Sequence, residues 1–147
     1  MPEKRTVQRA KQAKREGKAP STQAGEFVRE EIHHVREGKH GVRSTKQVIA
    51  IGLSKARRAG VKLPPPTRGS AKVKRAAAAE TRAGATKRGP VSKARSLAAK
   101  RKLRREGHSG ASHSALAKHA RASAKRRSAS DRSASAKKAA RTRTRSD

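Results

Sequence analysis

The sequence predicts an all-α protein: a short antiparallel helical hairpin, about 22–37 and 45–59, with largely disordered or conditionally helical basic arms on both sides. Branched aliphatic residues at helical spacing are concentrated between residues 21 and 66, together with the sole phenylalanine, Phe27. Lys, Arg, Ala and Ser dominate the rest of the chain. With 1% aromatic and 35% charged residues, the chain has too few large apolar groups to offset the entropy of ordering a full-length domain.

The first hairpin helix is predicted from its apolar stripe. Ser21 or Thr22 is expected to cap it, and Gly38 to end it. A solvated face is expected opposite the stripe, made of Arg29, Glu30, His33, Arg36 and Glu37. The stripe itself follows helical spacing and consists of Ala24, Phe27, Val28, Ile32 and Val35.

The second helix begins at Ser44, which has Gln47 three residues later in a capping-box spacing. Gly52 lies on its apolar stripe and is predicted to be the point of close helix contact. The chain is expected to fold back onto the hairpin before the three prolines that follow residue 63. The apolar residues of this part are Val48, Ile49, Gly52, Leu53, Ala56, Val61 and Leu63.

Composition divides the chain into five segments. A basic N-terminal arm, expected to be a fraying helix, precedes the hairpin, and a Pro-rich and then low-complexity linker follows it. The segments are 1–20 (arm), 21–63 (hairpin core), 64–91 (linker), 92–107 (basic helix) and 108–147 (disordered Ala/Ser/Lys/Arg tail).

The net charge of +31 indicates a polyanionic partner. It is distributed as +5 over residues 1–20, +5 over 21–63 and +21 over 64–147. Nucleic acid is favoured over anionic membrane, because no stretch pairs the cations with a face of Leu, Phe or Trp. The chain has no cysteine, no apolar run of transmembrane length and no secretory leader pattern, so a cytoplasmic, nucleoid-associated protein is expected.

The run STQAGEFVREEIHHVREGKHGVRSTKQ, followed by IGLSKARRAGVKLPPP, resembles the shared core of small, strongly basic proteobacterial proteins of uncharacterised function. Some of these carry a plasmid-stabilisation or DNA-binding label. The arms are similar only in composition to histone H1-type tails, as in AKKAA at residues 136–140. The resemblance implies no catalytic residues.

Metal, cofactor and enzyme chemistry are not expected. Glu30–His33 and Glu31–His34 have the Glu-x-x-His spacing of di-metal bundles, but the second helix offers no partner Glu, and neighbouring His33 and His34 diverge by about 100°. His40 adds a third histidine without changing that interpretation. No P-loop or G-x-G-x-x-G occurs, and residues 107–111 lack the last Gly of a nucleophile elbow.

The exposed middle of the second helix is expected to carry Ala50, Ile51 and Ser54, which read bases poorly. Only Lys46 and Gln47 are placed to reach base edges, so phosphate contact is favoured over groove reading. The predicted nucleic-acid-binding residues are Arg43, Lys46, Gln47, Lys55, Arg57, Arg58, Lys62, Lys100, Arg101, Lys102, Arg104, Arg105, Lys125, Arg126, Arg127, Lys137, Lys138, Arg141, Arg143 and Arg145.

The sequence therefore predicts a non-enzymatic protein that binds or compacts nucleic acid without sequence preference, DNA more than RNA. Two alternatives stay open: a protein-interaction module that its arms hold on nucleic acid, and a ribosomal-RNA-associated protein. Because ten or so large apolar side chains make a marginal core, a homodimer through the hairpin is also expected. No small-molecule substrate and no membrane partner are predicted.

Overall fold

Seven α-helices and one 3₁₀ turn form the regular structure of residues 2–86 and 92–144, the part of the chain that the computed structural model describes. No strand occurs within these two ranges. The elements are α1 (Lys4–Arg15), α2 (Pro20–Arg36), α3 (Thr45–Arg58), α4 (Ala71–Ala85), α5 (Lys93–Arg104), the 3₁₀ turn (Ser109–Ala111), α6 (His113–Lys125) and α7 (Ala129–Thr144).

The chain forms two compact units, Met1–Ser112 and His113–Asp147. In the first unit α2 packs against α3, α1 packs on α2, and α4 packs on α3. The 3₁₀ turn contacts both α2 and α3. In the second unit neither α6 nor α7 contains a buried residue among those described.

The prediction of a short hairpin with largely disordered arms is wrong. α2 and α3 lie where the two hairpin helices were expected, but helices also cover most of the described chain on both sides of them. α1 buries Ala10 and Ala13, and α4 buries Ala77. Alanine has the highest helix propensity and loses no side-chain entropy, so these helices form and pack with few large apolar groups, of which Val7 of α1 is one.

Two apolar clusters form the core of the first unit. The first lies where α1, α2, α3 and the segment after α3 meet, and the second lies near the α2–α3 loop and the 3₁₀ turn. The buried members of the first are Ala10, Ala24, Phe27, Ala56, Val61 and Leu63. Those of the second are Val35, Val42, Val48 and Ala111, with Ile32, Ile49 and Ile51 packed against them.

Gly52 is the point of closest approach between α2 and α3, as predicted. A Cβ atom at Gly52 would lie 2.6 Å from the Cα of Val28, so no other residue fits without moving the backbone. The cap at the start of α3 is also confirmed, because Ser44 Oγ accepts a hydrogen bond from Gln47 N at 3.3 Å. The predicted cap of α2 is wrong: that helix begins at Pro20, whose fixed φ suits a first helical position.

The face of α2 that was expected to be solvated is partly internal. Glu30 is 7% exposed, and its neighbour Glu31 is 1% exposed. Both face α3, and their charges are met there by Lys55. Among the described helices, none has the length and apolar character needed to cross a membrane.

Candidate nucleic-acid interface

The C-terminal end of α5 is fixed to the loop between α2 and α3 by backbone hydrogen bonds. Gly41 N donates to Leu103 O at 2.9 Å, and Val42 N donates to Gly107 O at 2.7 Å. The predicted basic helix of residues 92–107 is therefore anchored to the hairpin at one end, a contact that spans more than sixty residues of sequence.

The 3₁₀ turn that follows α5 extends this attachment. The Thr45 hydroxyl donates to Gly110 O at 2.7 Å, and Arg36 Nε donates to Ala111 O at 2.8 Å. The side chain of Ala111 is fully buried in the second apolar cluster. Polar and apolar contacts together attach the segment that follows α5, and with it the C-terminal end of the helix.

The attachment creates a basic groove between α5 and the loop, which we call the α5 groove. It joins Arg43, in front of α3, with cations of α5 that lie about sixty residues later. All four of its cations belong to the predicted nucleic-acid-binding set. The lining residues are Arg43, Ala98, Arg101, Lys102, Arg105 and Glu106.

One acid lines the α5 groove. Arg43 Nη2 lies 3.4 Å from Glu106 Oε1, and the Arg43 side chain stays 71% exposed. Arg101, Lys102 and Arg105 are exposed as well. Four cations against one carboxylate leave an excess of positive charge on a fixed surface, which attracts anions and is screened by salt.

Several other predicted binding residues are exposed but scattered over the first unit. They are Lys46, Arg58, Lys62, Lys100 and Arg104. Gln47 has a structural task instead, because its Oε1 accepts a hydrogen bond from Arg43 N at 2.8 Å. One of the two side chains that were expected to reach base edges is thus engaged within the fold.

Lys55 and Arg57 point into the fold. Lys55 Nζ forms an ion pair with Glu31 and lies 3.7 Å from Glu30 Oε1. Arg57 is 8% exposed, and its Nη1 lies 3.8 Å from Glu80 Oε2. Both cations balance carboxylates between helices, so neither contributes to the exposed basic surface.

The second unit presents cations along both of its helices. Between residues 113 and 144 it has ten Lys and Arg residues, all exposed, and one acid, Asp131. Arg127 donates to Asp131 O at 2.8 Å near the start of α7. The predicted residues here are Lys125, Arg126, Arg127, Lys137, Lys138, Arg141 and Arg143. Arg145 lies outside the described residues.

Exposed carboxylates of the first unit are largely matched by neighbouring lysines. A hydrogen bond from Lys18 lowers the pKa of Glu16, and one from Lys39 lowers the pKa of Glu37. The Glu37 carboxylate in turn raises the pKa of Lys39. These acids stay ionised in paired form, which limits their repulsion of an approaching polyanion.

The cations of α1 and α4 are not among the predicted binding residues. Because α1 was expected to fray, its charges were not assigned to any surface. The structure orders them on solvent-facing sides of the two helices. These exposed residues are Lys4, Arg5, Arg9, Lys11, Lys14 and Arg15 on α1, and Lys72, Lys74, Arg75 and Arg82 on α4.

The region from α1 to the segment just beyond the three prolines has a counterpart among known families. Residues 4–68 match the model of a family of unknown function, DUF6496. The DUF6496 match includes α1, which the resemblance noted from sequence did not cover. No curated protein and no solved structure matches the chain.

One cluster in the first unit has the chemistry to hold a metal ion. Ligand atoms of Glu31, His34 and His40 lie within 4.8 Å of one another. From sequence, the Glu31–His34 pair and His40 were both considered, but no metal site was expected because the second helix offers no partner Glu. The third residue comes from the loop, which no helical spacing could indicate.

Proposed function

We propose that the protein binds duplex nucleic acid, DNA in preference to RNA, through phosphate contacts and without strong sequence preference. The α5 groove is the observation that supports this most directly. Backbone hydrogen bonds attach the end of α5 to the loop that contains Arg43, so this part of the backbone needs no ordering when a phosphate backbone enters. On this proposal the protein acts in the cytoplasm on the nucleoid and has no enzymatic role.

The distribution of side chains favours phosphate contact over base reading. Gln47 is used inside the capping motif, and the remaining candidates are long, flexible cations. When such residues contact phosphates, they position a protein on a duplex without reading its sequence. The exposed cations of α6 and α7 extend the same chemistry, in keeping with coating or compacting DNA.

A homodimer was expected because the hairpin alone has a small core. The hairpin's own apolar side chains are too few to make it stable without further packing. In the structure α1, α4 and the 3₁₀ turn supply packing against α2 and α3 from the same chain. We therefore propose that a single chain is the binding species.

The test is a salt titration of binding to two unrelated duplexes by fluorescence anisotropy. The wild-type chain should bind both with similar affinity, and log Kd should change steeply with log salt concentration. Replacing Arg101, Lys102 and Arg105 with Glu should make the slope less steep by about 2 to 3, at about 0.9 for each phosphate that is no longer neutralised. Circular dichroism checks that the variant is folded.

The matched control replaces Lys4, Lys11 and Lys14 of α1 with Glu, which alters the net charge equally. This control should keep most of the wild-type slope, because α1 does not line the α5 groove. Any effect of net charge alone on long-range attraction should be the same in both variants. A wild-type protein that binds neither duplex, or whose affinity is independent of salt, would overturn the proposal. Equal losses in both variants would remove the α5 groove as the principal contact.

A further inference from the structure

The side chains of Glu31, His34 and His40 converge inside the first unit at the junction of α2, the following loop and α3. Glu31 is 1% exposed, and the side chains of His34 and His40 are 12% and 16% exposed. Glu31 and His34 are three residues apart on α2 and so share one helix face. His40 reaches them because the chain reverses at Gly38, whose φ is +75°.

The reversal is fixed by a hydrogen bond across the end of α2. Lys39 N donates to His34 O at 2.9 Å, the pattern of a helix that ends with a left-handed glycine. The turn places the His40 ring 6.4 Å from the His34 ring, centroid to centroid, at an angle of 79°. Two imidazoles thus meet one buried carboxylate in a geometry set by the backbone.

The hydrogen bond of His40 Nδ1 bears on whether Nε2 presents a lone pair to Glu31. His40 Nδ1 lies 3.1 Å from the carbonyl oxygen of Gly41. A carbonyl oxygen only accepts, so in the neutral tautomer that donates to it Nδ1 carries the hydrogen and Nε2 has a lone pair. Nε2 lies 3.3 Å from Glu31 Oε2, so two acceptors face each other there.

His34 repeats this arrangement with its nitrogens exchanged. Its Nε2 lies 2.9 Å from Glu3 Oε1 and donates to that carboxylate. Nδ1 of the neutral ring then has a lone pair, and it lies 3.5 Å from Glu31 Oε1. The Glu31 carboxylate and one ring nitrogen from each histidine thus converge as three acceptors. The other nitrogen of each ring forms the hydrogen bond that holds the ring in position.

We propose that this cluster binds one divalent transition-metal ion of the zinc class, through Glu31 carboxylate oxygen, His34 Nδ1 and His40 Nε2. Ligands bonded at about 2.0–2.1 Å to a tetrahedral zinc ion lie about 3.3 Å apart. His34 Nδ1 lies 3.5 Å from Glu31 Oε1 and His40 Nε2 lies 3.3 Å from Glu31 Oε2, each close to that edge, and the ligand atoms of the three residues lie within 4.8 Å of one another. Two imidazoles also favour zinc over calcium or magnesium, which take oxygen ligands.

The outer contacts are those that metal-bound histidines use. Glu3 accepts from His34, as in a carboxylate–histidine–zinc arrangement, and a backbone carbonyl accepts from His40. Lys55 forms an ion pair with Glu31. If a metal ion takes the Glu31 carboxylate, Lys55 has an alternative partner in Glu30, whose Oε1 lies 3.7 Å from the Lys55 ammonium nitrogen. Metal binding therefore displaces one ion pair and leaves no buried charge alone.

The role that fits is structural. Through Glu3 the site connects the residue before α1 to α2, and through His40 it fixes the loop that holds α5. A metal that binds the folded chain adds its binding free energy to stability. The site shares no residue with the α5 groove, so the proposal does not depend on the proposed nucleic-acid binding.

The test uses Zn²⁺ alone on the full chain after removal of metal with a chelator. Calorimetry should give one site per chain, and thermal unfolding should shift upwards with Zn²⁺. His40→Ala should weaken binding at least tenfold. The matched control is His33→Ala, which removes an exposed histidine of the same helix and should leave affinity unchanged.

A second measurement on the wild-type chain keeps the proposal testable if His40→Ala does not fold. Nitrogen-15 spectra of the imidazoles should show Zn²⁺ shifting His34 Nδ1 and His40 Nε2, with the other four histidines unaffected. Absence of stoichiometric binding would overturn the proposal. So would equal loss on replacing His33, or shifts confined to histidines outside the cluster.

Discussion

Lys55 of α3 forms an ion pair with Glu31 of α2 at a position where the carboxylate is 1% exposed. Lys55 also approaches Glu30, so one ammonium lies between two buried acids. Removing one partner of a buried pair leaves the other charge without compensation and costs far more than losing a surface pair. The contact is therefore expected to fix how α2 sits against α3.

Lys55→Met should lower the free energy of unfolding by about 3 kcal/mol, at the lower end of the range for breaking a buried pair because two imidazoles remain near Glu31. Chemical denaturation in the presence of a chelator measures this without metal. Lys46→Met, on the exposed side of the same helix, serves as control and should change stability by less than about 0.5 kcal/mol. Equal stability of the two variants would contradict the role given to Lys55.

Gly52→Ala and Gly25→Ala should have opposite effects, although both change a helical glycine. The new methyl at Gly52 would collide with the backbone of Val28, so a loss of about 1–3 kcal/mol is expected. A methyl at Gly25 would meet nothing within 4 Å, so helix propensity should stabilise that variant by about 0.5–1 kcal/mol. Denaturation curves for the pair decide the matter; two stabilising changes would refute the close contact.

Truncation after Ser112 should leave a folded protein, whereas truncation after Pro66 should not. The shorter fragment lacks α4 and Ala111, so Val48 and its neighbours lose part of their cover. The longer fragment retains every residue of both apolar clusters. Circular dichroism and amide NMR dispersion distinguish the two fragments, and a well-dispersed spectrum from residues 1–66 would contradict the expectation.

The start of α7 should depend on pH through Asp131. Hydrogen bonds from Ser128, chiefly its side chain, lower the pKa of Asp131. A lowered pKa means stabilisation that is present above the ordinary value and is lost as pH falls through the lowered one. An NMR titration of the Asp131 carboxyl should show the low midpoint in wild type and a return towards the ordinary value in Ser128→Ala. Ser133→Ala on the same helix should leave the midpoint unchanged.

Helical periodicity located the central part of the fold. The stripe through Ala24, Phe27 and Val35 could be recognised because apolar residues recur there every three or four positions, with charged residues between them, which is the spacing of a helix. Glu30 and Glu31 were the exception, since adjacent acids on a helix ordinarily indicate solvent. What buries them is Lys55 and His40, residues that lie on other elements and that no local pattern connects to α2.

The arms were misjudged because their packing depends on small groups and single acids. α4 contributes Ala77 to the interior and Glu80 to Arg57 and Arg58, and Val73, its one large apolar residue, is exposed and gives no signal of this packing. The α5 groove was missed for a different reason: its cations were all identified, but Arg43 and Arg101 line one groove only because the chain brings distant segments together. Composition indicated the charge of this surface and not its shape.

The burial of Ala111 against Val35, Val42 and Val48 also constrains the order in which the molecule assembles. Helices α2 and α3 are neighbours in sequence and can pair early, since closing a short loop costs little entropy. The second apolar cluster cannot close until the chain has been made as far as residue 111. During synthesis, the valines of this cluster therefore stay partly exposed until the strongly basic α5 and the 3₁₀ turn have been made. Exposed apolar surface of this kind favours premature association of the nascent chain.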